Sequence, residues 1–285
     1  MGDVGDSGNL GYLGAVITLS ALFTYPVKSC RGTEHESVLL EEAGLAHDRE
    51  WMFVTSDGRF LTQREEPRLA RVDAVVQQDK LRLSADGAGE VWVPLDVAGT
   101  PGQVIIWRDR VNALDQGREP AAWISALLGR DARLVRIDPA ARRRCDPAWT
   151  AGTEAHSRFP DGYPLLVVSR ASLDDLNSRL PAPLPMDRFR PNLVLDGLPP
   201  YGEDEVHEFT VQGIRLRVVK PCIRCSITTT DQAAGVVAGE EPLRTLKSYR
   251  WDAALHGVKF GQNTIVIEGA GARLEAGMSL AASPR

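Results

Sequence analysis

The residues best placed by type and spacing to do chemistry lie in the run Lys220-Pro221-Cys222-Ile223-Arg224-Cys225-Ser226-Ile227-Thr228-Thr229-Thr230-Asp231. Cysteines that only pack sit in apolar surroundings. Cys222 and Cys225 lie beside Lys220 and Arg224, cations that stabilise thiolate and so favour metal ligation or nucleophilic work. Cys-x-x-Cys usually marks half of a zinc site or a thioredoxin-like redox pair. A structural zinc takes about four ligands, yet the other cysteines, Cys30 and Cys145, form no such pair, and the five histidines are scattered singly. A redox pair opens a helix after a strand, whereas Ser226 to Thr230 is rich in β-branched residues and reads as strand. Neither common chemistry fits well.

The elements that must position this run change character along the chain. Up to Asp115 the pattern is β. Trp51-Met52-Phe53-Val54 and Phe60-Leu61-Thr62 flank Asp57-Gly58, a hairpin signal. Short apolar runs follow at Val72 to Val76, Leu81-Arg82-Leu83, Val91-Trp92-Val93 and Val104-Ile105-Ile106-Trp107. Strands at this spacing indicate a barrel or sandwich. Pro120 to Leu128 predicts a helix ended by Gly129, and Leu134-Val135-Arg136-Ile137 a strand. Asp138 to Gly162 lacks periodicity and reads as a long connection crossing a site. Beyond it the chain is mixed: a buried-type strand at Leu165 to Val168, a helix over Ser172 to Leu180, and strands at Leu193-Val194-Leu195, Glu208 to Val211 and Ile214 to Val219. The last two turn at Gln212-Gly213. Leu243 to Tyr249 reads as helix and Thr264 to Ile267 as a late strand.

The 285 residues suffice for a substantial core. A net charge of −5 with 25% charged residues gives no electrostatic reason to expect a nucleic-acid partner. Arg142-Arg143-Arg144, the one basic run, reads as a solvated loop patch. Residues Met1 to Leu10 read as disordered. Tyr12 to Phe23 is apolar but too short to span a bilayer, and no cation precedes it as in a signal peptide. It alternates as a strand does. Four cysteines make no disulfide framework, so a reducing cytoplasm is the expected compartment.

With its neighbours, the Cys225 run resembles the cofactor segment of the MOSC family, the molybdenum cofactor sulfurase C-terminal domain. The resemblance is closest to members with an N-terminal MOSC β-barrel, such as the mitochondrial amidoxime-reducing component and its bacterial relatives. It extends from about Leu22 to the C-terminus, through Tyr25-Pro26-Val27-Lys28-Ser29-Cys30-Arg31-Gly32, His47-Asp48-Arg49 and Thr62-Gln63-Arg64-Glu65-Glu66-Pro67-Arg68-Leu69. Further matches are Ser172-Leu173-Asp174-Asp175-Leu176-Asn177, Phe189-Arg190-Pro191-Asn192, Leu246-Lys247-Ser248-Tyr249-Arg250 and Phe260-Gly261-Gln262-Asn263. Their order makes the signal specific.

The resemblance implies that Cys225 is the metal ligand and catalytic thiolate. Molybdenum would be held by it together with the dithiolene sulfurs of a pyranopterin, a donor set suited to a soft centre. Arg224 would keep Cys225 ionised and bind the cofactor's negative charge, while Cys222 packs nearby. Lys28, Ser29 and Arg49 match the family's contacts to the cofactor's terminal phosphate. Read alone, Lys28 and Arg49 would be solvated charges at a barrel rim. Arg190 and Asn192 flank Pro191, which biases Arg190 to an extended backbone; the plainer role is an ion pair at a strand start. Asp161, Gly162 and Tyr163 align with pterin contacts, by backbone alone at Gly162 and Tyr163, where relatives carry small hydroxylated residues. Asn263 stands where a relative has an aromatic residue.

The implied fold is mainly β: an N-terminal MOSC-type β-barrel over residues 12–118, packed on a MOSC-fold mixed barrel over 161–285. A helical and irregular connection spans 119–160, and the cofactor lies between the two units. The implied activity is a molybdenum-dependent reduction of small N-hydroxylated substrates such as amidoximes and hydroxylamines. Electrons would come from a separate donor: a reductase, a ferredoxin-like or a cytochrome b5-like protein. No cysteine follows Cys225, so no cysteine-ligated iron–sulfur cluster is expected there. No membrane partner is expected either. The alternative is a cofactor carrier or sulfur-handling module.

Overall fold

The computed structural model describes residues 16–97 and 99–285. The expectation of disorder over Met1 to Leu10, and the first residues of the strand expected from Tyr12, lie outside this range. Strand β1 (Ile17–Thr24) buries Ile17, Leu19, Ala21 and Leu22. Strand β2 (Trp51–Val54) is wholly buried. A three-stranded meander follows, β3 (Asp73–Gln77), β4 (Lys80–Ala85) and β5 (Gly89–Pro94). A hairpin of β6 (Thr100–Ile106) and β7 (Asp109–Asp115) comes next, then helix α1 (Arg118–Leu128) and β8 (Arg133–Ile137). Gly129 closes α1 in the left-handed region at φ 67°, the conformation that costs glycine least. Strands β2, β8, β7 and β6 form one antiparallel sheet, in that order. Val27, Trp51, Phe53, Leu81, Ile124 and Leu134 share a core beneath it.

The second half supplies β9 (Leu165–Ser169), helix α2 (Arg170–Arg179), β10 (Leu193–Asp196), β11 (Val206–Val211), β12 (Ile214–Ile223), helix α3 (Leu243–Lys247), β13 (Gly257–Glu268) and β14 (Ser279–Pro284). Ser169 caps α2 by accepting the Ser172 N–H. The β11–β12 hairpin turns on two residues with positive φ, Gln212 at 46° and Gly213 at 83°, as a type I′ turn requires.

Seven strands close into a barrel in the order β9, β10, β1, β14, β11, β12, β13 and back to β9. The β9–β10 pair is parallel and the other pairs antiparallel. The sequence places β1 with the N-terminal unit. Its hydrogen bonds instead go to β10 and β14, and its apolar face joins Leu165, Leu193, Phe209 and Leu216 in the barrel core. The reason is closure: without β1 the ring has two open edges, whose unpaired backbone groups are costly and prone to aggregate. No helix of the described residues is long and apolar enough to cross a membrane.

Candidate cofactor site

Strand β12 ends at Ile223, and Arg224 and Cys225 follow at the edge of a cleft. The Arg224 N–H donates to the Val258 carbonyl of β13 at 2.8 Å. Ser226–Thr229 is a 3-10 turn, not the strand its β-branched residues suggest. The Cys225 carbonyl accepts from the Thr228 N–H at 3.1 Å and from its hydroxyl at 2.9 Å. Threonine hydroxyls compete in this way with ladder bonding. The turn holds the Cys225 side chain half-buried at the cleft.

The cleft encloses about 740 Å³ of non-atom space, part of it open to solvent. Every candidate residue lines it: Lys28, Ser29 and Arg49 from the N-terminal segment, Asp161, Gly162 and Tyr163 from the connection, then Arg190, Asn192, Arg224, Cys225 and Asn263. Three of them adopt the left-handed region, Ser29 at φ 68°, Arg49 at 47° and Arg190 at 55°. The extended backbone expected of Arg190 before Pro191 is therefore not adopted. The Arg190 N–H donates to the Asp187 carbonyl at 3.2 Å, closing a turn that aims the guanidinium inward. Such backbone persists only where surrounding contacts over-determine it.

Those contacts centre on Tyr25. Its ring lies between two guanidiniums, with Arg49 and Arg190 each 4.2 Å from the centroid. Its hydroxyl donates to the Pro191 carbonyl at 3.1 Å. Arg49 also donates to both carboxylate oxygens of buried Asp48, at 2.8 and 2.6 Å, and to Asn192 Oδ1 at 3.0 Å. Asn192 spends the rest of its amide on the Leu166 N–H and the Phe23 carbonyl, so it braces Arg49. Lys28 donates to the Phe159 carbonyl at 2.9 Å and to Asp161 at 2.5 Å. Lys28 is 6% exposed and the Arg49 side chain 11%. Neither is a solvated rim charge.

Burial pushes the Lys28 amine below its ordinary value, against the pull of Asp161. Burial likewise brings Arg190 down to about 10. Partial burial opposes ionisation of Asp161, but Lys28 and Arg64 outweigh it and hold the carboxyl well below the usual range.

Arg224 does not serve Cys225. It donates to Cys222 Sγ at 2.9 Å and to the Phe189 carbonyl at 2.7 Å. The guanidinium at Cys225 is that of Arg64, whose Nη2 lies 3.2 Å from Cys225 Sγ and 3.3 Å from Asp161 Oδ2. Sequence reasoning passed over Arg64, although it lies inside one of the matching segments. In the basic run Arg142 and Arg144 are exposed, as its solvated reading expects, but Arg143 departs from it. The Arg143 side chain, 7% exposed, donates to the carbonyls of Arg158, Pro160 and Asp161 and so shapes the loop beneath the cleft.

The walls hold polar atoms that the protein leaves unpaired: Arg190 Nη2, Arg224 Nε and the Tyr163 hydroxyl are buried without a partner. Such groups are costly unless something satisfies them. With Lys28, Arg49, Arg190 and Arg224 against Asp161, the cleft suits an anionic, hydrogen-bonding group. Among the described residues no group of three or more His, Cys, Asp or Glu side chains is placed to hold a metal ion. A metal at Cys225 would take its other donors from a cofactor.

Comparison with known proteins finds two family matches along the chain. Residues 16–131 match the MOSC N-terminal beta barrel domain and residues 154–280 the MOSC domain. The chain is 36% identical over 246 residues to the human mitochondrial amidoxime-reducing component 1, covering 82% of this chain and 72% of that one. This chain belongs to the MOSC family. The mouse mitochondrial amidoxime-reducing component 1 is 35% identical over 242 residues, covering 82% and 71%. A molybdenum cofactor sulfurase from rice is 33% identical over 263 residues, covering 82% of this MOSC protein but 31% of its own length.

Proposed function

We propose that this MOSC protein is a molybdenum-cofactor enzyme that reduces small N-hydroxylated compounds with electrons from a separate donor protein. The observation that carries the reading is the cleft itself: a cysteine thiol at one end, facing walls whose buried guanidinium and hydroxyl donors lack partners. Cys225 would ligate the metal. Arg190, Arg224 and Tyr163 would donate to the pyranopterin and its negative charge, with Gly162 contributing backbone. Lys28, Ser29 and Arg49 would face the phosphate, and Asn263 the pterin side. When bound, the cofactor supplies the electron chemistry that removes oxygen from an N–OH group, and the protein holds, orients and tunes it. The chain has no Gly-x-Gly-x-x-Gly fingerprint after a strand and no cluster of cysteines beyond Cys222 and Cys225. A reductase acting through a ferredoxin-like or cytochrome b5-like carrier is the expected donor, and the cytoplasm the expected compartment.

Similarity to a molybdenum cofactor sulfurase favours a second reading, a cofactor carrier or sulfur-handling module. Turnover separates the two. Loaded, chemically reduced protein should convert benzamidoxime to benzamidine over many cycles per chain, whereas a carrier gives at most one event. Absence of catalytic turnover with any N-hydroxylated compound would reject the reductase reading.

A further inference from the structure

Arg64 reaches the cleft from a turn that is anchored at both ends of the site. Gln63, fully buried beside it, donates to the Ser29 carbonyl at 2.7 Å. It also exchanges amide hydrogen bonds with Gln232 at 3.0 and 2.9 Å. One neighbour of Arg64 is thus tied to the Lys28-Ser29 turn and to the segment that follows Cys225. The guanidinium packs over the Trp107 indole, 4.8 Å from the ring centroid. Phe60 supports that indole at 5.2 Å.

Trp107 is the first turn residue of the β6–β7 hairpin and holds φ at 55°. A bulky residue is unusual there, where glycine is favoured, and its strain is offset by the packing on Arg64 and Phe60. A relay of contacts results: Lys28 to Asp161, Asp161 to Arg64, Arg64 to Cys225.

We propose that Arg64 is a positioning residue for the Cys225 sulfur, fixing its orientation and drawing electron density from it across the domain interface. The contact stands on geometry alone; its consequence for a bound metal rests on the proposed cofactor site. A charged donor on a thiolate ligand weakens the electron donation of that sulfur. The bound metal is then easier to reduce, so loss of the donor lowers its potential. Trp107 keeps the guanidinium aimed at sulfur and away from solvent.

The test compares wild type with Arg64→Met, which keeps length and loses the donors, and Arg64→Lys, which keeps one charged donor. Two readouts separate this inference from the function it builds on. The first uses cofactor-free protein at one fixed pH, where alkylation of Cys225 and Cys222 by iodoacetamide is followed by peptide mass spectrometry. Arg64→Met should slow Cys225 several-fold and leave Cys222 unchanged, with Arg64→Lys between. The second is a redox titration of the loaded protein followed by the molybdenum(V) paramagnetic signal. Arg64→Met should shift the couple to lower potential at unchanged molybdenum content, and Arg64→Lys should restore part of the shift.

Unchanged Cys225 reactivity and unchanged potential in Arg64→Met would overturn the proposal. If the reactivity change is seen but wild type takes up no molybdenum, the Arg64–Cys225 coupling stands and the molybdenum reading falls.

Discussion

Cys222 and Cys225 are near neighbours in sequence yet meet different arginines, Arg224 and Arg64. Burial pushes the Cys222 thiol up, and it packs with the cluster around Phe189 and Phe260. Cys225→Ala is therefore expected to abolish molybdenum retention, measured by metal analysis of protein from a cofactor-competent host. Cys222→Ala should keep most of the metal, and equal loss in both would point to a paired-cysteine site instead. Arg49→Ala should do more than weaken cofactor retention. It strands the Asp48 carboxylate in the interior, which costs about 3–5 kcal/mol, read as a lower urea midpoint. A midpoint unchanged from wild type would mean that Arg49 is not the partner Asp48 depends on.

Glu50 gives the sign of a pH effect. Its carboxyl resists burial and is held below the ordinary range by His47 and Arg136. A depressed folded value means stability fully present above the unfolded value of about 4.3 and lost as pH falls through the lower folded one. Glu50→Gln should thus be less stable than wild type at neutral pH. The gap in urea midpoint should narrow as pH falls below the unfolded value of about 4.3.

At the scale of elements, the turn from Tyr25 to Gly32 carries the N-terminal side of the cleft. A Cβ on Gly32 would stand 2.4 Å from the Tyr25 ring. Gly32→Ala must displace the ring on which Arg49 and Arg190 pack. Cofactor content should fall while the far-UV circular dichroism stays native; full retention would show that the ring is dispensable. The β11–β12 hairpin is a counter-case far from chemistry. Gln212 sits at φ 46° in a position that favours asparagine, so Gln212→Asn should stabilise by roughly 0.5–1 kcal/mol. A lower melting temperature would contradict the type I′ assignment.

For the molecule as a whole, β1 couples the two units because it completes the barrel of the second. A fragment of residues 154–285 lacks that strand and exposes the edges of β10 and β14. It should fail to give a monomeric, cooperatively unfolding species, whether judged by gel filtration or by urea denaturation. A monomeric fragment with a sharp transition would show that the barrel closes without β1. The cleft depends on the same coupling, since Lys28 and Arg49 come from before the connection and Cys225 and Arg190 from after it.

Much of this was legible in the sequence alone. Strand and helix periodicity, the Asp57-Gly58 and Gln212-Gly213 turns and the end of α1 at Gly129 follow from local backbone preferences. The family resemblance named the residues that line the cleft. Only the tertiary structure decided which of them touch. Arg64 and Cys225 stand 161 positions apart, and no spacing rule reports a contact made by folding two units together. The same holds for β1: its alternation declares a strand, but its partners are set by which barrel needs an edge filled. Arg224 adjoins Cys225 in the chain, yet its backbone bonds along β13, and its side chain turns to Cys222 and the Phe189 carbonyl. Adjacency in sequence fixes distance along the backbone, whereas the direction of a side chain is settled by what packs around it.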